Sequence, residues 1–312
     1  MSALICGSFA FDNIMVFQDR FKNHILPDKI HILNVSFLVP ELRREFGGCA
    51  GNIAYNLHMI GGDATPMGAV GEDFAPYAAW MDSLGISRRC VTEIPHTLTA
   101  QAFITTDLDD NQITAFHPGA MSYSAQNAVS AAGAISIGIV APDGRDGMIA
   151  HAEQMREAAI PFIFDPGQGL PMFNGDELLH FIEGASWVTV NDYESEVVQE
   201  RTGLGPAAIA ERVAACIVTR GAEGSVIYTR DTTIEIPPAT PAVVKDPTGC
   251  GDAYRAGLLY GLMHDLPWET TGRIASLLGT VKIEHAGTQN HTIGRDEFAA
   301  RYRREFAHTL EW

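Results

Sequence analysis

From residue 134 to residue 219 the chain alternates two kinds of segment. The runs AISIGIV (134–140), PFIFD (161–165), WVTV (187–190) and CIVT (216–219) are short and dense in β-branched and aromatic residues. Stretches with helical spacing separate them, at about 147–159, 176–183, 192–201 and 206–214. Apolar strands buried on both faces, each followed by a helix, build βαβ crossovers and a parallel sheet. In such an open sheet, ligands bind outside the carboxyl ends of the strands. The residues just past each run are therefore the first place to look for chemistry.

The N-terminal half carries the same pattern with interruptions. ALICGSFAFD opens with a strand ending at Gly7, and Asp12 follows it. GGCAGNIAYNLHMIGG reads as a glycine turn and a helix, with Ile53, Leu57 and Ile60 on one face and Gly61-Gly62 as its stop. ATPMGAVGED is a second strand and turn, and FAPYAAWMDSLGI a helix ended by Gly85. Two regions differ. Residues 13–46 include HILPDKIHILNVSFLVP, whose alternating apolar positions predict half-exposed strands in two short stretches. Residues 97–117 predict a hairpin around Asp109-Asp110-Asn111. Beyond 219, GSVIYTRDTTIEIP predicts an antiparallel hairpin, and helices follow at about 251–264 and 267–286. The expected organisation is an α/β core over 1–12, 47–96 and 121–312, with a small β lid from 13–46 and 97–120 over the strand ends.

Charge narrows the partners. With 21 basic and 38 acidic residues the formal charge is −17, and the densest basic cluster is Arg301, Arg303 and Arg304. Nucleic acid and anionic membranes are excluded as expected partners, because their binders carry basic patches. An anionic small ligand is not excluded, since helix N-termini bind such groups locally. The five cysteines form no C-x-x-C pair. That predicts reduced thiols and a cytoplasmic protein. No apolar run reaches the 18 residues of a membrane span.

The stretch KDPTGCGDAYRAG (245–257) holds three glycines and sets Asp252 at a helix start. Unpaired N–H groups and the positive dipole end suit an anion there, and the glycines let it approach. Alone, Asp252 is more often a first-turn acid that stabilises the dipole. Other phosphate motifs are missing: the chain has no Gly-Lys pair for a Walker loop, and GSFAFD is no dinucleotide fingerprint. That disfavours a dehydrogenase.

Taken together, these residues resemble the PfkB (ribokinase-like) family of carbohydrate and nucleoside kinases. Gly47, Gly48 and Asn52 match its G-G-x-x-x-N, and Asn191 and Glu194 its N-x-x-E. Residues Asp246 to Asp252 match its D-T-x-G-A-G-D, with Cys250 in place of the usual Ala. The resemblance runs from Asp12 to about Gln289. It implies a ribokinase-like, doubly wound sheet with helices on both faces. It also implies ATP as co-substrate, Asp252 as catalytic base, and the amides of Gly249, Cys250 and Gly251 as receivers of phosphoryl charge. By the same resemblance ATP lies against Asn191, Thr219, Gly221, Gly224, Gly249, Gly251 and Gln289. Mg²⁺ is held near Glu194 through water, and Asp246 lies beside a monovalent-cation site, which brings in K⁺ as a candidate. On the residues alone, Asn191 reads equally as a helix cap.

Asp12, Gly48 and Asn52 are implied as contacts to sugar hydroxyls. Phe11, Phe103 and Phe116 in the lid segments are expected over a base, with lid packing as the other reading. Gln168 in FDPGQG is expected at a purine edge. EHAGTQ (284–289) and GDAYRAG resemble the adenosine-kinase-like and archaeal nucleoside kinase branch. The expected activity is phosphorylation of a nucleoside 5′-hydroxyl, purine-tolerant. A sugar kinase is the alternative, and a non-catalytic sensor a more distant one. Family habit adds a homodimer through the lid.

Overall fold

A computed structural model describes residues 2–25, 34–109 and 111–310. Its larger sheet has nine strands in the order β13-β12-β11-β10-β9-β8-β1-β4-β5. In chain order these are β1 (Ser2–Cys6), β4 (Asp63–Val70), β5 (Cys90–Glu93), β8 (Ile137–Val140), β9 (Phe162–Phe164), β10 (Trp187–Asn191), β11 (Ala215–Thr219), β12 (Ser225–Tyr228) and β13 (Thr233–Ile236). From β5 to β11 every neighbouring pair is parallel; the edge pairs β11/β12 and β12/β13 are antiparallel. The order turns around at β1, which lies between β4 and β8. The crevice past the carboxyl ends of β1 and β8 is the switch point where this architecture binds ligands.

The period of two along the strands divides the interior in half. Ala3, Ile5, Ile137, Ile139, Ala215 and Ile217 pack on one face, with α1 (Cys49–Met59), α2 (Ala75–Leu84), α7 (Cys250–Met263), α8 (Trp268–Ile283) and α9 (Arg295–Phe306). Leu4, Cys6, Val140, Val188, Val190, Cys216 and Val218 pack on the other, with α3 (Arg145–Glu157), α4 (Gly175–Gly184), α5 (Asp192–Thr202) and α6 (Pro206–Ala210). Strands buried on both sides explain why the runs read as continuously apolar.

A second sheet has the order β3-β2-β6-β7, from β2 (Ala10–Val16), β3 (Glu41–Gly47), β6 (Ala100–Thr106) and β7 (Gln112–His117). Its central pair β2/β6 is parallel and its outer pairs antiparallel. β2 begins at Ala10, so Asp12 belongs to this sheet and not to the end of the first strand. Of the stretch 24–40 expected to hold two short strands, residues 34–40 are irregular and 26–33 lie outside the described residues, as does Asp110 of the expected turn. Helices end earlier than periodicity alone suggested, at Ala210 and Ile283, and α9 had no counterpart in the sequence reading. Among the described residues no helix is long and apolar enough to cross a membrane.

Candidate active site

The start of α7 is shaped by Gly249, its N-cap, at φ +81°. A Cβ there would be strained and would meet the Thr288 side chain at 3.0 Å. The Thr248 amide donates to Asp246 Oδ1 (2.9 Å), which tightens the turn. The Cys250 amide donates to Pro247 O (3.2 Å), so one of the three expected anion donors is already spent inside the turn. Among the described residues the amides of Gly249 and Gly251 meet no protein acceptor. They remain available at the positive end of a 14-residue helix.

Asp252 follows in the first turn, half-buried. Burial pushes its pKa up to about 6, against the Asn52 hydrogen bond, which favours the charged form. That bond runs from Asn52 Nδ2 to Asp252 Oδ2 (2.8 Å), across 200 residues of sequence. Asn52 is itself fixed: its Oδ1 accepts from Gln289 Nε2 (3.0 Å), and Gln289 Oε1 accepts from Trp80 Nε1 (3.0 Å). The Tyr77 hydroxyl accepts from Gln289 Nε2 (2.5 Å) and donates to Gly47 O (2.9 Å). Gly51 makes room, since a Cβ there would lie 1.9 Å from the Tyr77 hydroxyl. Gln289, expected against ATP, is 4% exposed with its amide used at both ends, so the structure gives it to the orientation of Asn52 instead. Tyr77, Trp80 and Gly51 belong to no motif, so nothing in the sequence marks them for this role.

Asp12 faces this group from β2. Among the described residues nothing donates to its carboxylate. Burial, then the charges of Asp246 and Glu45, push its pKa up to about 6. A Cβ on Gly47 would lie 2.5 Å from Asp12 Oδ2, so the carboxylate rests on bare backbone. Gly48, at φ +86°, lets Ser8 O and Ala10 N approach where a Cβ would meet them at 2.5 and 2.6 Å.

Register decides which aromatics accompany Asp12. Asp12 pairs with Glu45 and Ala102, and Ala102 with Phe116, so these four share one face in a single row. Phe103 pairs with Asn13 and Ala115 and faces the other way. The expectation of both rings over one ligand is thus corrected: alternation sends neighbouring positions to opposite faces. Phe11 also lies opposite Asp12, fully buried against Phe46 and Tyr77. Gln168 is exposed on the 3₁₀ turn Gly167–Met172 after β9, with no hydrogen bond to the Asp252 group.

At the carboxyl ends of β10 and β11, Asn191 and Thr219 are register partners. Asn191 and Glu194 form a capping box at α5: Asn191 Oδ1 accepts from Glu194 N (2.7 Å), and Glu194 Oε2 from Asn191 N (2.8 Å). Gly221 is open to solvent at φ +54°. Gly224, expected against ATP, is buried with its Cβ direction 2.2 Å from Ile236 O; it serves the β11–β12 hairpin. Beneath this rim Arg255, one turn after Asp252, forms a bidentate pair with Asp165 (3.0 and 3.0 Å) and lies 3.9 Å from Glu194. Burial, with the Asp165 charge, raises the Glu194 pKa, while Arg255 opposes the rise. Asp165 directly follows the apolar run FIF at the carboxyl end of β9, a strand-end carboxylate that is visible in the sequence itself.

No three acidic, His or Cys residues among the described ones converge on a metal position. A Mg²⁺ that keeps its waters and leans on a nucleotide needs only one or two carboxylates. Glu194 fits that requirement, since its Oε1 has no hydrogen-bond partner among the described residues.

The pfkB family carbohydrate kinase profile matches residues 12–294. A nucleoside kinase of Methanocaldococcus jannaschii is 32% identical over 83% of this chain and 85% of its own length. A nucleoside kinase of Burkholderia thailandensis, solved with inosine, is 52% identical with a TM-score of 0.91, covering 99% of this chain and all of that one. Its complex with ADP-inosine aligns at 54% identity and a TM-score of 0.88, over 99% of this chain and 97% of that one. The profile spans nearly the whole chain and includes both glycine turns, so the chain belongs to the pfkB family of carbohydrate kinases.

Proposed function

We propose that the chain transfers the γ-phosphoryl group of ATP to the 5′-hydroxyl of a nucleoside, giving ADP and a nucleoside monophosphate. The observation that carries this reading is Asp252, a half-buried carboxylate held by Asn52 at a helix start whose Gly249 and Gly251 amides are free. The inosine and ADP-inosine complexes of the Burkholderia thailandensis relative support the nucleoside as acceptor.

Asp252 takes the proton of the 5′-hydroxyl as the new O–P bond forms and the bond to ADP breaks. The amides of Gly249 and Gly251 stabilise the charge on the transferred group. Asp12, with its acceptors unspent, holds ribose hydroxyls, and Phe116 on the same face covers the base. Gly48 and the second N–H of Asn52 border the same ribose. Asn191, Thr219 and Gly221 border the nucleotide at the ends of β10 and β11. Mg²⁺ belongs near Glu194, through water, and supplies neutralisation of phosphate charge. The small sheet, from 13–46 and 97–120, acts as a lid over the α/β core. Exposed Leu42, Phe103 and Ile113 on the face away from Asp12 favour a homodimer through that sheet. Five unpaired cysteines favour the cytoplasm.

An ATP-consumption screen of adenosine, inosine, guanosine, cytidine, ribose and fructose tests the reading. A purine nucleoside is expected to give the highest kcat/KM. A clear preference for a free sugar would replace it with the sugar kinase alternative, and no turnover of any acceptor would favour a sensor.

A further inference from the structure

Asp246 is the residue through which family resemblance brings in potassium, and the structure gives that place to a side chain. Lys282, in the last turn of α8, is 0% exposed. Its Nζ donates to Asp246 O (2.6 Å) and His285 O (3.1 Å) and lies 3.9 Å from Asp246 Oδ2. An ammonium has three donors and no acceptor; here two carbonyls take hydrogen bonds and the carboxylate adds an ion pair. Each carboxylate oxygen of Asp246 also accepts one backbone amide, Oδ1 from Thr248 (2.9 Å) and Oδ2 from Gly287 (2.9 Å). A potassium ion needs a cage of oxygens that replaces its hydration shell. The carbonyl and carboxylate that would begin such a cage here already hold a cation.

We propose that Lys282 is a built-in ammonium standing in for a monovalent cation beside the phosphate turn, so that catalysis needs no potassium. The inference rests on the kinase reading above. Lys282 is a positioning residue, because it touches the turn and not the reacting atoms. Its two carbonyl partners come from the two segments that clamp Gly249: the approach to α7 and the loop after α8. The same segments are joined where Lys245 N (2.9 Å) and Asp246 N (3.2 Å) donate to Ile283 O, and where Gly249 packs on Thr288. Burial lowers the Lys282 pKa while Asp246 opposes the drop.

Initial rates of inosine phosphorylation are measured for the wild type in tetramethylammonium, sodium and potassium chloride at matched ionic strength. Equal rates are expected; a saturable rise with potassium overturns the proposal. Lys282→Met is expected to lose about 100-fold in kcat, the scale of a small misplacement of the reacting groups, with little change in KM for inosine. Lys282→Ala is expected to regain rate with added methylammonium or potassium, which a purely structural lysine would not allow. A folded Lys282→Met with wild-type kcat also overturns it. If neither variant folds, the wild-type rates decide. If the wild type is inactive with every cation, the kinase reading fails, and melting temperature then decides: a potassium-specific rise at matched ionic strength overturns the proposal, and no rise supports it.

Discussion

Asp252 sits where two tendencies oppose each other. Burial favours the neutral acid, and the Asn52 donor favours the anion. Only the anion accepts a proton, so the raised pKa places an acid limb near pH 6 in kcat/KM: activity is full above it and falls as the carboxylate protonates below it. Asp12, also pushed up to about 6, steepens that limb in the free enzyme. Asp252→Asn is expected to lower kcat by about 10²- to 10⁴-fold, the usual worth of a general base, and leave the fold intact. Steady-state kinetics with a circular-dichroism melt checks both. The two aromatic positions give a second test. Phe116→Ala is expected to raise the nucleoside KM between about twofold and tenfold, and Phe103→Ala to leave it unchanged, because only Phe116 shares the Asp12 face. Equal effects of the two would place the ligand elsewhere.

Along α7, the turn after the base carries Arg255. This buried guanidinium answers to two carboxylates, Asp165 at the end of β9 and Glu194 in α5. It ties the helix of the base to the strands of the nucleotide side. Removing one partner strands the others without water, so Arg255→Met is expected to destabilise by about 3–5 kcal/mol, read from chemical denaturation. The companion double variant Arg255→Met with Asp165→Asn is expected to recover part of that loss. Such elements explain what the sequence made legible. The parallel sheet could be read because strands buried on both faces announce themselves as apolar runs. The anion turn could be read because glycines at a helix start have few other uses. The small sheet was legible at its β6–β7 hairpin and less so at β3, whose first four residues are exposed and mostly charged, so little hydrophobic contrast marks it. Tyr77, Arg255 and Lys282 carry no assignment in the sequence, and Gln289 only the one against ATP. Their meaning lies in contacts such as Gln289–Asn52 and Arg255–Asp165, between residues 237 and 90 positions apart.

For the whole molecule, stability carries a charge burden outside the site. Asp143, 2% exposed at the end of the loop after β8, has its pKa pushed up to about 7 by burial, against the Gly144 amide. The folded state therefore holds a proton that the unfolded chain releases near pH 4. Stability from this group is present at low pH and is lost as pH rises from about 4 to 7, at a cost on the order of 4 kcal/mol above that range. Asp143→Asn is expected to raise the melting temperature at pH 8, with the difference shrinking toward pH 5. A constant difference across that range would reject the assignment.

The row Glu45–Asp12–Ala102–Phe116 means that β6 and β7 carry two interleaved messages. Positions of one parity look into the crevice, and positions of the other look outward. Substitution can therefore revise one message and leave its neighbour unread. Changes in length are not so forgiving. Losing two residues from β6 shifts the text but keeps its sides, whereas losing one exchanges them along the rest of the strand, turning Phe103 inward and everything paired with Asp12 out. Natural or engineered variation in this segment should thus come in even steps.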